Sequence, residues 1–329
     1  MVNLATKYLG LNLKNPLIVG SSGLTNSVEE IVNLEKKGAA AVVLKSIFEE
    51  EILLEHASVM KEVAADDNNL EYYDYFDYKI KNDNINAYIK LIEDTKKAVN
   101  IPVIASINCT SAHEWTFFTK KIQSAGADAI ELNAFILPSD LNRTAAQNEK
   151  IYFDLIEAVK KEVSIPISLK ISYYFSNLAA TIKKLSETGI AGVVLFNRFY
   201  SPDFDIHTQK VVSTHVLSSE NDLPISLRWV AIMANRIDCD IAASTGVHDG
   251  KALIKQLLAG ADAVQTVSAL YKNGTSHIQS MLKELESWME ENNYKTIADF
   301  KGNMSQENSH DPAAFERVQF MKYFGEMKS

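Results

Sequence analysis

Gly126–Phe135 reads GADAIELNAF, and Gly260–Ala269 reads GADAVQTVSA. Each begins with the same four residues and runs on into a short, strand-like apolar segment. A second echo, Ile101-Pro102-Val103 against Ile165-Pro166-Ile167, marks the start of two more such segments. Working outward from these repeats, eight runs share one form: Pro16–Ser22, Ala40–Ser46, Pro102–Asn108, Ala129–Phe135, Pro166–Ser172, Gly192–Arg198, Asp240–Gly246 and Ala263–Ala269. Each is apolar and rich in β-branched residues, is bounded by Pro or Gly, and leads into a helix-length amphipathic stretch such as Ile151–Val163 or Leu178–Thr188. Near-continuous apolar strands belong to a parallel sheet covered on both faces. Eight of them alternating with helices predict an α/β chain folded as a (β/α)8 TIM barrel. A doubly wound dinucleotide domain would need a G-x-G-x-x-G turn after an early strand, and none is present.

Two connections are too long for simple loops: Ile47–Asp83 after strand 2, with the aromatic cluster Tyr72–Tyr78, and Phe199–Pro224 after strand 6. They are expected as insertions over the C-terminal face of the barrel. The barrel is expected to span residues 1–303, with 304–329 as a tail packed outside it. The Tyr72–Tyr78 cluster reads as packing or dimer surface, and a homodimer is expected.

The net charge of −9 argues against nucleic acid or an anionic membrane as partner, because counterion release requires a basic face. With 47% hydrophobic and 23% charged residues the composition is that of an ordinary globular protein. Two cysteines, Cys109 and Cys239, build neither a disulfide framework nor a four-thiolate cluster. The opening MVNLATKYLG has no basic stretch followed by an apolar run, and no segment reaches the roughly 18 apolar residues of a membrane span. A cytoplasmic location is expected.

Polar residues at the C-terminal ends of barrel strands face the active-site mouth. Here these are Ser21, Ser22, Lys45, Ser46, Asn108, Asn133, Lys170, Asn197, Arg198, Ser244, Thr245 and Ser268. No histidine–carboxylate grouping with metal-ligand spacing accompanies them, so no metal is expected. No G-x-S-x-G elbow is present either. Two lysines and three asparagines make a hydrogen-bonding set with positive charge, suited to a polar heterocycle. The seven histidines read as surface residues, with His113 and His248 nearest the mouth. Cys109 reads as a small buried hydrophobe or, alternatively, a reactive thiol. Ser139 reads as a helix N-cap before Asp140 or, alternatively, a base. Arg198 is the candidate partner for a substrate carboxylate, since a guanidinium binds one bidentately.

These pieces, in their order, resemble the dihydroorotate dehydrogenase family. Asn15-Pro16 with Ser21-Ser22-Gly23 is similar to its N-P-x-x-x-A-S-G start, Val42–Ser46 to V-x-T-K-S, and Glu131-Leu132-Asn133 to E-L-N. Leu169-Lys170 with Tyr174-Phe175 resembles K-L-P-P-Y-F. Ser244–Val247, Ala259-Gly260-Ala261 and Val264-Gln265 resemble the G-G-I … C-G-A-x-x-V-Q phosphate end, and Asn293–Gly302 the closing segment. The likeness runs, with gaps, over residues 3–302. It implies FMN as cofactor, with Ser21, Ser22, Gly23, Lys45, Ser46, Asn108, Asn133, Lys170, Thr245, Gly246, Val267 and Ser268 around it. It also implies Lys45, Asn133, Lys170 and Asn197 as catalytic, and Lys45, Asn133, Asn197 and Arg198 at the substrate. Lys170 would place its cation by the flavin N1/C2=O, where negative charge collects on reduction.

The departures fall mainly on the substrate side. Where soluble members carry N-L-S-C-P-N, this chain reads Asn133–Pro138 (NAFILP), so Ile136 replaces the catalytic Cys and Pro138 an orotate-binding Asn. The N-S-M-G-L substrate loop has no counterpart, Arg198 stands where a Ser follows the strand 6 asparagine, and Val267 replaces a phosphate-loop glycine. Cys109 and Ser139 are the remaining candidates for the base. The reading is therefore an FMN oxidoreductase acting on a CH–CH bond of a small anionic heterocycle, in pyrimidine biosynthesis or near it, with dihydroorotate a poor substrate. Electrons are expected to leave to a soluble acceptor or partner subunit. Two alternatives stay open: a flavin-free lyase or aldolase using Lys170 as a Schiff-base amine, and a non-catalytic flavoprotein.

Overall fold

The protein is described by a computed structural model that covers residues 2–48, 70–109, 116–134, 136–199 and 201–316, with backbone alone at 48, 70–83, 109, 116 and 117. The side chains of Tyr72–Tyr78 and Cys109, and all of His56 and His113, lie outside the described residues.

An antiparallel pair, β1 (Thr6–Tyr8) and β2 (Leu11–Leu13), precedes the sheet. Then come β3 (Leu17–Val19), β4 (Ala41–Val43), a short β5 (Ile47–Phe48), β6 (Val103–Cys109), β7 (Ala129–Ala134), β8 (Ile167–Ile171) and β9 (Gly192–Leu195). A second hairpin, β10 (Pro202–Asp205) with β11 (Lys210–Ser213), lies in the insertion after the sixth barrel strand, and β12 (Asp240–Ala243) and β13 (Ala263–Thr266) complete the set. The parallel order β4-β3-β13-β12-β9-β8-β7-β6 closes on itself through β6–β4 pairing. This is the expected eight-stranded barrel. The strands are shorter than the apolar runs because residues such as Gly20–Ser22 and Ser244–Gly246 leave the ladder to form the mouth.

Strand alternation sorts the side chains. On β7, Ile130, Leu132 and Ala134 join the large core under the helices, while Ala129 joins a second core with Ile18, Ala41, Val43, Ile104, Val194, Ala242 and Ala263. That inner core also holds Tyr8, Leu9 and Leu13, so the first hairpin plugs the barrel floor. The hairpin was not foreseen; its three-residue strands fall below any periodicity signal.

The GAD repeat has one structural meaning. Gly126 (φ +93°) and Gly260 (φ +117°) each take a left-handed turn after a helix, a conformation that penalises a Cβ. The next Asp then ties neighbouring strands. Asp128 Oδ2 accepts from Val103 N (2.7 Å) and Lys96 Nζ (2.6 Å). Asp262 accepts from Ile241 N (2.8 Å) through Oδ2 and from Lys301 Nζ (2.5 Å) through Oδ1.

Two local expectations change. The helix after β7 spans Ala145–Lys160 and is capped by Thr144 in a box with Gln147, not by Ser139. A capping box needs a Thr/Ser with Gln or Glu three residues on, and Ser139 is followed there by Asn142. His248 is 6% exposed and not a surface residue. After the second barrel strand, the helix Leu70–Ala98 already occupies the later part of the stretch read as an insertion. In the described part of the tail, Met304 N donates to Leu258 O (2.8 Å) and Gln306 N to Ala231 O (2.9 Å), on the outer helices. Among the described residues no helix is long and apolar enough to cross a membrane.

Candidate functional site

The lumen above the inner core is polar. Register places Ser106 beside Glu131, Asn108 beside Asn133, and Asn133 beside Lys170 on successive strands. Because alternate residues point the same way, the side chains of Glu131, Asn133, Ser168 and Lys170 share the barrel interior. Glu131 and Lys170 are 1% and 11% exposed, with Nζ 3.7 Å from Glu131 Oε1. Gln265 joins them: Lys170 Nζ donates to its Oε1 (2.9 Å) and its Nε2 donates to Glu131 Oε2 (2.6 Å). Removing one partner would strand a buried charge at about 3–5 kcal/mol. Below, burial and then the Glu131 charge push the Tyr8 hydroxyl well above its ordinary range, so the floor stays neutral.

On the neighbouring wall a hydroxyl chain runs from Ser21 to Ser46 (3.0 Å) to Ser106 (2.7 Å). Tyr88 OH closes it, accepting from Ser106 N (2.8 Å) and donating to Ser106 O (3.1 Å). At the rim Asn197 Nδ2 donates to Asn133 Oδ1 (2.5 Å). Arg198 Nη1 donates to Val216 O (2.8 Å), and its Nε lies 3.9 Å from Asp222 Oδ2, so part of the guanidinium already holds the insertion.

A cavity of about 250 Å³ runs from Lys170, Gln265 and Asn197 to Thr245, Gly246 and Ser268. Its far end is backbone. Thr245 (φ +76°) and Gly246 (φ +79°) are successive left-handed residues, and a β-branched residue there is a true outlier. A Cβ on Gly246 would stand 2.2 Å from Leu223 N, so only glycine fits under the helix Leu223–Met233. Among the described residues the N–H groups of Thr245, Gly246 and Val247 have no hydrogen-bond acceptor. The insertion closes over them at Ser218. Its N donates to Ser268 Oγ (2.9 Å), its carbonyl accepts from Lys272 Nζ (2.7 Å), and its Oγ meets His248 Nε2 (3.0 Å). Burial, then Lys272, lowers the His248 pKa.

A cavity lined both by the Lys170 cation and by N–H groups with no acceptor among the described residues suits an anionic flavin nucleotide. Donor chemistry is what such a group needs at its ring and at its phosphate.

Of the residues singled out from the sequence, Ser21, Lys170, Asn197, Arg198, Ser244, Thr245, Gly246, Val267 and Ser268 line this cavity. Ser46 and Asn133 touch it through Ser21 and Asn197. Lys45 and Asn108 follow their strands toward the same end. Ser22 turns away: its Oγ accepts from Leu24 N (3.3 Å), and exposed Gly23 lies in that turn. Ser139 is exposed on the loop before Ala145. Reading only strand ends missed Gln265, which lies one step inside; its signal was the polar residue at a period-2 inward position, Ala263-Gln265. Ser218 and Lys272 meet His248 only through the insertion and carry no sequence signal of their own, while His248 was read from the sequence only as lying near the mouth.

A second cavity, about 480 Å³, lies on the other side of Tyr173 and Tyr174 and is lined by Ile136, Pro138, Arg143 and Tyr152. Tyr173 meets Phe196 edge-on (5.7 Å) and Tyr174 meets Phe199 edge-on (4.9 Å), and Phe196 and Phe199 line the first cavity.

The family model for dihydroorotate dehydrogenase matches residues 3–289. The catalytic subunit of dihydroorotate dehydrogenase B (NAD(+)) from Thermoplasma volcanium is 27% identical over 314 residues, covering 92% of this chain and 98% of that protein. The corresponding subunit from Methanocaldococcus jannaschii is 25% identical over 297 residues, covering 88% and 94%. That from Pyrococcus furiosus is 24% identical over 306 residues, covering 92% and 98%. A match over most of the chain, on a closed barrel with its polar residues gathered at one mouth, places the protein in the dihydroorotate dehydrogenase family of oxidoreductases.

Proposed function

We propose that the chain binds FMN and oxidises a CH–CH bond of a small anionic heterocycle other than dihydroorotate. The observation that carries this is the Lys170 ammonium, held by Gln265 in a cavity also lined by Thr245–Val247, whose N–H groups have no acceptor among the described residues. When bound, FMN supplies the hydride acceptor. Lys170 holds positive charge where the reduced ring gathers negative charge. Ser21, Ser46, Asn108, Asn133 and Asn197 orient ring and substrate by hydrogen bonds, and the Thr245–Val247 N–H groups hold the phosphate. Arg198 offers its remaining donors to a substrate carboxylate. A Schiff-base lyase is disfavoured, because Lys170 Nζ is already engaged by Gln265 and lies 3.7 Å from the buried Glu131 carboxylate.

The relatives' names describe catalytic subunits of an NAD(+)-linked enzyme. By that likeness electrons leave this barrel for a partner subunit. The barrel unit is taken as residues 1–303 with the tail outside, in a cytoplasmic homodimer.

Ile136 offers no group to take a proton, and general-base help contributes roughly 10²–10⁴-fold. Purified protein should release FMN on denaturation, identified by mass. FAD, or no flavin after reconstitution, would overturn the cofactor reading. Under anaerobic stopped flow, dihydroorotate should bleach the flavin slowly or not at all. Fast bleaching at neutral pH, abolished in Cys109→Ala or Ser139→Ala, would overturn the altered-substrate reading and identify the base.

A further inference from the structure

We propose that Gln265 is a spacer that keeps the Lys170 ammonium off the Glu131 carboxylate, so that the chain Glu131–Gln265–Lys170 sets how much positive charge faces the cavity. In its measurement by flavin potential the inference rests on the FMN reading above.

Glu131 and Lys170 rise from adjacent strands into the same lumen, with Nζ 3.7 Å from Oε1, too long for a hydrogen bond. Oppositely charged groups this deeply buried would ordinarily close to direct contact, since neither has water to replace the lost partner. Here the gap is held open from the other side of the barrel. Gln265 enters from β13, four strands away from β7 around the ring. Its carbonyl takes the ammonium at 2.9 Å and its amide N–H takes the other carboxylate oxygen at 2.6 Å. One planar amide thus satisfies both charges without letting them meet. The Glu131 Oε1 atom is left buried with no hydrogen bond among the described residues. This is the atom Lys170 would occupy if the spacer were absent. Among the described residues Lys170 Nζ makes one hydrogen bond, to Gln265, which leaves its other N–H donors for the cavity it lines. Among the described residues the Tyr8 and Tyr88 hydroxyls also feel the Glu131 charge, and burial keeps both neutral.

Two substitutions move this device in opposite senses. Gln265→Met preserves length and removes both hydrogen bonds, so Nζ should close onto Glu131 Oε1 and its charge be neutralised. Glu131→Gln preserves shape and an acceptor for Gln265, but removes the negative charge. Neither a packing role nor a generic loss of stability predicts opposite signs.

The experiment is redox titration of the flavin in wild type and both variants, with crystal structures of the flavin-free proteins. Gln265→Met should lower the reduced-to-oxidised ratio at a fixed poise by about tenfold or more. Glu131→Gln should raise it by a similar factor. Each tenfold step corresponds to about 30 mV for a two-electron couple. In the Gln265→Met crystal, Nζ should lie within hydrogen-bond distance of Glu131 Oε1. Potentials that shift the same way, or not at all, would overturn the proposal, as would a Lys170 that keeps its place without Gln265. If no variant or wild type takes up flavin, the cofactor reading fails while the crystal comparison still decides the spacer. Should Glu131→Gln not fold, Gln265→Met alone decides it.

Discussion

The two walls of the barrel mouth are built differently. On the wall of Lys170, Gln265, Asn133 and Asn197, every polar side chain stands on or beside a strand and is tied to a partner on another strand. On the wall that follows β7, residues 136–143 form a loop held by local bonds, such as Ser139 N to Leu137 O (2.8 Å) and Asn142 N to Asp140 Oδ1 (2.9 Å). That loop exposes Leu137 (51%) and Leu141 (99%) and turns Ser139 outward. Strand pleat dictates where a side chain points, whereas a loop leaves that to its own contacts. On the function proposed above, the stiff wall would hold the cofactor, and the permissive wall, which carries Ile136 and Pro138, would set substrate choice.

The largest test of the stiff wall is Lys170→Met. Substrate-driven flavin reduction should slow by about 10²-fold or more with the flavin still bound. An unchanged single-turnover rate would make the two walls equivalent and break the comparison.

Gly246→Ala probes the far end of the same wall. Its positive φ and the approach of Leu223 N leave no room for a methyl group. The strain should cost roughly 1–3 kcal/mol, read as a lower urea midpoint together with weaker flavin retention. A variant as stable as wild type and fully flavinated would show that the turn is not under constraint.

The smallest effect concerns His248. Its folded pKa is lowered, first by burial and then by Lys272, from about 6.5 when unfolded. The unfolded chain then binds a proton more readily, so stability present above pH of about 6.5 is lost as pH falls toward the folded value. His248→Gln should flatten the urea midpoint against pH as pH falls below about 6.5. An identical slope in wild type and variant would remove His248 from the closure of the phosphate end.

How much of this was legible beforehand follows from where each signal resides. A run such as Ala129–Ala134 carries its own evidence, because a strand covered on both faces must be apolar outward and compact inward. The GAD repeat likewise foretold two equivalent strand entries, since a left-handed glycine and a capping carboxylate act within a few residues. Lys170, Asn133 and Asn197 were legible as polar breaks at strand ends. Ser139 was misread because caps depend on where a helix begins, and Thr144 with Gln147 begins it five residues later.

By itself, then, the sequence determined the barrel and the polar residues at its strand ends. Each is a matter of local periodicity or of a residue type at a motif position. Tertiary structure alone decided that Gln265, four strands round the barrel from Glu131, bonds both Lys170 and Glu131, and that the insertion brings Ser218 onto Ser268, His248 and Lys272. Those contacts join residues between 30 and 134 positions apart. They exist only because barrel closure brings distant strands to one lumen, and no window of the chain contains that information.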